Sequence, residues 1–313
     1  MKKSNSNYKN EEFTKDYSHA LSKEQIASFF ENGYVIVKNL FTQDEVTKVK
    51  TLAEILFKKA VEIAEKHKVG NNIPINGQFR CDYNGQDGPK SASILAVNNE
   101  NEKVSIKLIS WAGGVEKELL GLGEQTKITV KVGQLLGCKY AAHLINQIHY
   151  KMPHDKVTFN CHQDITNRRD FDPEWTDVNG KGSFVQVLTA IDESTETNGS
   201  LEIIPYSHKK DLLLDKLPKE ESLLKIKEKY DLNKAIKLLL KPGDTVFMHP
   251  LLLHQSGANN SDESRELFIN GFSYPSANHK KYPGEGSAKE INLNIDPDLL
   301  DETNEFVQHR LIL

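Results

Sequence analysis

The sequence predicts a mainly β protein with flanking helices, built as an antiparallel sandwich or barrel. Short apolar, β-branched segments at residues 127–132, 142–151, 184–191, 201–204, 237–240, 245–248 and 267–272 succeed one another with turn residues between them. Strands without regular intervening helices argue against an alternating Rossmann sheet. Helix signals, by contrast, concentrate ahead of residue 126.

Taken in order, residues 1–15 are rich in Lys, Asn and Ser, with no apolar core of a secretory signal, so a flexible tail to residue 20 and a cytoplasmic location are expected. Residues 21–32 carry Ile26, Phe29 and Phe30 behind Ser22 and Gln25, the spacing of a capping box, and Gly33 ends that helix. Tyr34 to Val37 is apolar throughout, as a buried strand would be, and Thr42 with Glu45 opens a second helix reaching about residue 66. Residues 70–101 turn to Gly, Asn, Pro and Asp, which predicts a long irregular segment of the kind tied to a lid or a substrate contact. A helix over 117–122 precedes the strand series. The expected organisation is one domain over 21–313: helical support to about 125, a β core over 126–275 and a C-terminal extension over 276–313.

Composition narrows the function. The 313 residues carry 40 Lys+Arg against 44 Asp+Glu, a net charge of -4, with 38% hydrophobic and 27% charged residues. That is the profile of a globular chain. No basic footprint for nucleic acid is present, because the lysines of residues 209–241 are interleaved with Asp and Glu. No apolar run approaches the roughly 18 residues of a membrane span. Cys81, Cys138 and Cys161 are too few and scattered for a disulfide framework or a zinc knuckle. Gly121-Leu-Gly123 lacks the third glycine and the strand–turn–helix setting of a nucleotide loop.

Chemistry concentrates at Asn160-Cys-His162-Gln-Asp164. Residues two apart in an extended chain project to one face, so His162 and Asp164 can aim an imidazole and a carboxylate at one point. A third ligand must come from elsewhere, and His254 is the best candidate, with His249 its rival. His254 ends the apolar run that follows Gly243-Asp244, and Ser256 and Arg265 come after it. Two histidines and a carboxylate on one face of an iron leave positions open for a cosubstrate and dioxygen. An arginine nearby can clamp a carboxylate through two parallel hydrogen bonds.

These motifs, with Asn198-Gly-Ser-Leu201, Ile204-Pro-Tyr-Ser-His208 and Gly33-Tyr-Val-Ile-Val37, resemble the phytanoyl-CoA dioxygenase-like family of non-haem Fe(II)/2-oxoglutarate oxygenases over most of the chain. The resemblance implies a double-stranded β-helix, a cupin-like jelly roll. It implies Fe(II), 2-oxoglutarate and O2 as cofactor and cosubstrates, with His162, Asp164 and His254 as iron ligands. Arg265 then holds the distal carboxylate of 2-oxoglutarate with help from Ser256, while Lys151 and Gln147 are further cosubstrate contacts. Hydroxylation is the default outcome, with desaturation or ring closure open to the same ligands; Asp164 argues against halogenation, for which related enzymes replace the carboxylate. One departure is Tyr206, where the family often has glycine.

Beside these, His208 reads as a turn or core histidine, His149 and His154 as residues able to face the cavity but expected at the surface, and Trp175 as lid or local packing. Arg168 and Arg169, on the segment leaving Asp164, and Arg80, in the irregular segment, are candidate anchors for an anionic substrate. The expected partner is a small, carboxylate-bearing metabolite, an amino-acid derivative or natural-product intermediate, oxidised by a monomer or homodimer. An acyl-CoA would call for a broader basic surface. The rival reading is a catalytically silent jelly roll that binds a small ligand.

Overall fold

The structure is a computed structural model, and it describes residues 17–83, 92–279 and 287–310 together with Phe13 and Lys15. Most of the expected tail, part of the Gly/Asn-rich segment and part of the C-terminal extension lie outside the described residues.

The N-terminal elements follow their capping signals. Helix α1 (Lys23–Asn32) starts at Ser22, whose hydroxyl accepts from the Gln25 N–H while the Gln25 side chain accepts from the Ser22 N–H. Gly33 closes it at φ 89°, a left-handed conformation that glycine adopts without a Cβ penalty. Strand β1 (Tyr34–Val37) follows, and the Thr42–Glu45 capping box opens α2 (Gln43–Asn71), five residues longer than the sequence predicts.

Two expectations are corrected here. The Gly/Asn-rich region contains strands β2 (Gln78–Asp82) and β3 (Ser93–Asn98), and β4 (Val104–Ser110) comes next. Phe79, Cys81, Ile94 and Ala96 are buried, which is what fixes this stretch as sheet despite its composition. After α3 (Lys117–Gly123), the segment read as a strand is α4 (Thr126–Leu136). Alternation of Ile128, Val130 and Val132 imitates a strand, but every residue from Ile128 to Leu136 is buried. Ile128, Val132, Leu135 and Leu136 carry the helical period, and the polar residues Thr129, Lys131 and Gln134 opposite them are buried too.

The remaining elements are β5 (Tyr140–His149), β6 (Phe159–His162), α5 (Asp164–Phe171), β7 (Phe184–Ala190), β8 (Leu201–Ile203), α6 (Lys219–Lys227), β9 (Ile236–Leu238), β10 (Thr245–Met248), β11 (His254–Ser256), β12 (Leu267–Ser273), β13 (Lys289–Asn292) and α7 (Pro297–Arg310). The nine-stranded sheet runs β1-β10-β7-β12-β5-β4-β3-β2, with β13 also on β5, and the four-stranded sheet runs β6-β11-β8-β9. All pairings are antiparallel. This is the jelly-roll sandwich; β1 is the strand expected at Tyr34 to Val37, and β2 to β4 enlarge the major sheet where no strand is expected.

Alternation along β12 shows how the sheet serves two cores. Phe268 and Phe272 face the core shared with α1, α2, α4 and α7, whereas Leu267 and Ile269 join the core containing residues of the minor sheet. Tyr206 has φ 67°, so the position at which the family often has glycine is a left-handed turn here too. Among the described residues no helix is long and apolar enough to cross a membrane.

Candidate active site

His162 ends β6 and His254 begins β11, and the two are directly paired across the antiparallel ladder. Gln163 between the ligand positions is extended (φ -108°, ψ 131°), so His162 and Asp164 do project to one side. The fully buried Gln163 side chain holds that turn in place. Its amide donates to the Lys210 and Leu251 carbonyls at 2.9 and 2.7 Å, and its oxygen accepts from Leu212 N–H at 3.1 Å.

Each imidazole is fixed from behind. His162 Nδ1 lies 2.7 Å from the Asn160 carbonyl, and His254 Nδ1 lies 2.9 Å from the Leu252 carbonyl. A carbonyl can only accept, so both Nδ1 atoms carry the hydrogen and both Nε2 atoms are left as donors of a lone pair. Those Nε2 atoms lie 3.6 and 3.7 Å from Asp164 Oδ1. The three ligand atoms fall within 4.8 Å of one another. Asp164 Oδ2 is buried with no hydrogen-bond partner. Two lone pairs and a carboxylate converging with one orphaned oxygen fit a divalent metal ion, and the mixed nitrogen and oxygen set suits iron.

Electrostatics prepares two of the three ligand candidates; at His162 burial favours the neutral ring, but the hydrogen bond and charge of Asp164 outweigh it and raise its pKa. Burial opposes ionisation of Asp164, but His254, His162 and Arg168 outweigh it and hold the carboxyl down at about 2. Burial, then the His162 charge, pushes His254 down to about 4. Both groups are therefore ready to bind a metal at neutral pH without releasing a proton.

The triad opens into a cavity of about 790 Å³ between the sheets. Arg265 and Ser256 line it, both buried. One Arg265 Nη donates to the Gly199 carbonyl at 2.6 Å, while its buried Nε has no partner. Arg265 forms no ion pair among the described residues. A buried guanidinium with an open N–H is costly until an anion arrives, which makes it a ready site for a carboxylate. Gln147 also lines the cavity, its amide 2.9 Å from His149 Nε2.

Other candidates are redistributed. Lys151 is buried away from the cavity lining, its ammonium donating to the Gly257 carbonyl. Burial, Arg265 and Lys107 push it down to about 6. Its backbone pairs with Arg265 in both directions, at 3.1 and 2.9 Å, so it braces the arginine's strand. The segment carrying Arg168 and Arg169 is a helix and not an extended loop. Asp164 and Arg168 stand one turn apart on α5, and Arg168 is buried in the cavity wall with its guanidinium 5.3 Å from the Phe184 ring. Arg169 is directed to Asp211 at 2.7 Å and Asp215 at 3.3 Å, outside the lining. Arg80 lines the cavity from β2.

His149 is the clearest miss among the histidines. It lies in the cavity wall, stacked on Phe159 at 4.8 Å and 7°, where burial and Arg265 push its pKa well down. Its even spacing from Gln147 on one strand was the available signal. His154 is exposed beside Asp262, and His208 is buried against the Phe30 carbonyl, as expected of each. His249 packs against His208 and Phe29, outside the triad. Trp175 packs on Phe184 and is not part of the lining. Lys107 and Trp111 of the lining come from a strand and turn whose pattern the apolar segments of the sequence did not disclose.

Known proteins can now be compared with this arrangement. The family model "Phytanoyl-CoA dioxygenase (PhyH)" matches residues 29–267. A probable phytanoyl-CoA dioxygenase of Caenorhabditis elegans is 26% identical over 257 residues, covering 79% of this chain and 73% of the relative. The peroxisomal phytanoyl-CoA dioxygenase of Bos taurus is 26% identical over 294 residues, covering 91% and 76%. Among solved structures, EctD from S. alaskensis with 2-oxoglutarate and 5-hydroxyectoine has a TM-score of 0.64 at 18% identity, covering 92% of this chain and 90% of that one. The carbocyclase SnoK from nogalamycin biosynthesis has a TM-score of 0.55 at 17% identity, covering 87% and 95%. With the family model spanning most of the chain and both folds shared, the chain belongs to the phytanoyl-CoA dioxygenase family of iron- and 2-oxoglutarate-dependent dioxygenases.

Proposed function

We propose that the substrate is a small, carboxylate-bearing metabolite, an amino-acid derivative or natural-product intermediate, anchored by Arg168. His162, Asp164 and His254 hold the iron, and Arg265 with Ser256 holds the distal carboxylate of 2-oxoglutarate. The observation that carries the substrate reading is the position of Arg168: a cation buried in the cavity wall, one helical turn beyond a metal-ligating carboxylate.

When bound, iron with 2-oxoglutarate and O2 supplies the oxidant that removes hydrogen from the substrate, with succinate and CO2 released. The chain's own groups decide where this happens. The carbonyls of Asn160 and Leu252 hold the imidazole hydrogens at Nδ1 and keep Nε2 free for the metal. Arg265 orients the cosubstrate by a paired, charge-assisted contact. Leu188, Leu201 and Ile269 make part of the cavity wall apolar, which disfavours water there. Arg168 sets the substrate's reach from its anchored end. Hydroxylation, desaturation and ring closure all use this arrangement and differ in which substrate hydrogen is presented.

The test is a screen of amino-acid derivatives and other small carboxylic acids, each paired with its methyl ester, read by succinate formation and product mass. An acid that stimulates succinate release and gains an oxygen atom, or loses two hydrogens, while its ester fails supports the proposal. Esters that serve as well as acids count against it.

A further inference from the structure

The cavity carries a second group of cations besides Arg168 and Arg265. Arg80 of β2, Lys107 of β4 and Lys219, the first residue of α6, all line it, from three separate elements. None of the three forms an ion pair among the described residues. Lys107 is pushed down to about 8 by burial, then by the neighbouring charges of Lys219 and Arg80. Asp155, the carboxylate nearest to it in effect, is engaged by the Val157 N–H at 3.2 Å.

Lys107 stands on the cavity face of β4, opposite the core residues Val104 and Ile106, and the extra residue there brings Leu108 to the same face. Leu95 pairs with Leu108 and Ala96 with Ile106, so Lys107 is the extra residue of a bulge. Lys107 and Leu108, although consecutive, both line the cavity as a result. A bulge that re-aims one side chain beside an active site is a built feature of a sheet. Its ammonium is held 3.3 Å from Gln78 Oε1 and 4.7 Å from the Phe159 ring centre. Lys219 adds a positive charge at the N-terminal end of a helix, where the helix dipole disfavours it. Arg80 and Lys219 are exposed and Lys107 half-buried, so an anion entering the cavity meets all three charges from its solvent side.

We infer that Arg80, Lys107 and Lys219 form a second oxyanion subsite, and that the substrate is anionic at both ends: one group at Arg168, the other, a carboxylate, phosphate or sulfate, at this cluster. The inference rests on the reading of Arg168 given above. Separation supports two distinct sites. Arg168 lies over Phe184 of β7, and from β7 to β4 the sheet passes through β12 and β5. Three strand spacings come to at least about 14 Å across the sheet, and the registers, with Phe184 in line with Ala142 but Leu108 opposite His149, add to it along β5. That distance exceeds what one carboxylate can bridge, and the 790 Å³ cavity leaves room for an elongated ligand beside the cosubstrate.

The experiment is anaerobic calorimetric titration of the protein loaded with Fe(II) and saturating 2-oxoglutarate. The probes are the straight-chain dicarboxylates from glutarate to dodecanedioate, each paired with its monocarboxylate of equal length. Phosphate and sulfate monoesters of the best-length hydroxy acid then identify the preferred oxyanion. The expected result is a dicarboxylate of one length binding at least tenfold tighter than its monocarboxylate, with Arg80→Ala and Lys219→Ala each removing most of that preference and Arg168→Ala weakening both ligands. Equal binding of mono- and dianions, or a preference that survives both rim variants, overturns the subsite. If monocarboxylates bind and respond to Arg168→Ala without any dianion preference, the inference fails while the proposed function stands. If Arg168→Ala changes no acid's affinity, both fail together.

Discussion

His162 and His254 are cross-strand partners on β6 and β11, and their ring centres lie 4.2 Å apart. Each ring is held by the carbonyl two residues before it, so the strand ladder itself sets the bite of the metal site. Removing His162, Asp164 or His254 by substitution with Ala should therefore lose stoichiometric iron and all turnover. His249→Ala, which alters a buried histidine outside the site, should retain iron, as measured by metal analysis after gel filtration. Metal lost from the His249 variant and kept in the His254 variant would reverse the assignment.

Arg265→Lys should weaken 2-oxoglutarate and leave iron binding alone, because a point charge cannot reproduce a two-pronged contact. Loss of a charge-assisted pair of this kind costs about 1.5–3 kcal/mol, or roughly ten- to a hundredfold in affinity. Titration of 2-oxoglutarate into the anaerobic Fe(II) protein measures it, and an unchanged affinity would remove Arg265 from the cosubstrate site.

Gln163→Leu leaves two carbonyls and one N–H buried without their partners, at about 1–3 kcal/mol for each group that water cannot reach. The expected outcome is a lower unfolding temperature together with weaker iron binding, since the same bonds hold the turn between His162 and Asp164. A variant that unfolds early but binds iron normally would show that the turn is held by its backbone alone.

Arg168→Ala should raise KM for substrate far more than for 2-oxoglutarate, whereas Arg169→Ala should act on the segment bearing Asp211 and Asp215. Leu214 and Leu217 of that segment line the cavity, so the Arg169 variant is expected to have a smaller, less selective effect on KM. Steady-state kinetics on any substrate found in the acid screen separates the two.

Glu45 supplies a pH test of the fold. Burial raises its carboxyl, but Lys127, the Thr42 N–H and Gln125 outweigh that and hold it at about 2, below its ordinary 4.5. A depressed carboxylate contributes stability above its unfolded value and loses it as pH falls through the folded one. Glu45→Gln should thus cost about 1 kcal/mol at pH 7, discounted for partial exposure, and the difference should vanish near pH 2. Urea unfolding across this range checks it; a gap independent of pH would mean that the capping geometry, and not the charge, carries the effect.

What was legible in the sequence was whatever local chemistry determines. Ser22 with Gln25, Gly33, and Thr42 with Glu45 marked helix ends because capping is settled within four residues. Thr245 to Met248 was found to the residue because an apolar run between turns has few alternatives. Elements failed where tertiary burial overrides local pattern. In α4, Ile128, Val132, Leu135 and Leu136 keep a helical period, but Ile128, Val130 and Val132 alternate over the same residues and imitate a strand. The sequence singles out His162, Asp164, His254, Ser256 and Arg265 by their order along the chain, and the structure brings all five to one cavity. Arg168 could not be told from Arg169 without knowing that the segment after Asp164 is helical. Lys107 stands at a bulge between β3 and β4, and the Gly/Asn-rich composition ahead of β4 hides that pairing.

The most direct measurement of the central claim is an anaerobic titration of Fe(II) into the protein with 2-oxoglutarate present, followed in the visible range. The account predicts a weak metal-to-cosubstrate charge-transfer band that saturates at one iron per chain, is absent from His254→Ala and needs more 2-oxoglutarate in Arg265→Lys. A wild-type protein that shows no band, or a band that persists undiminished in His254→Ala, would contradict it.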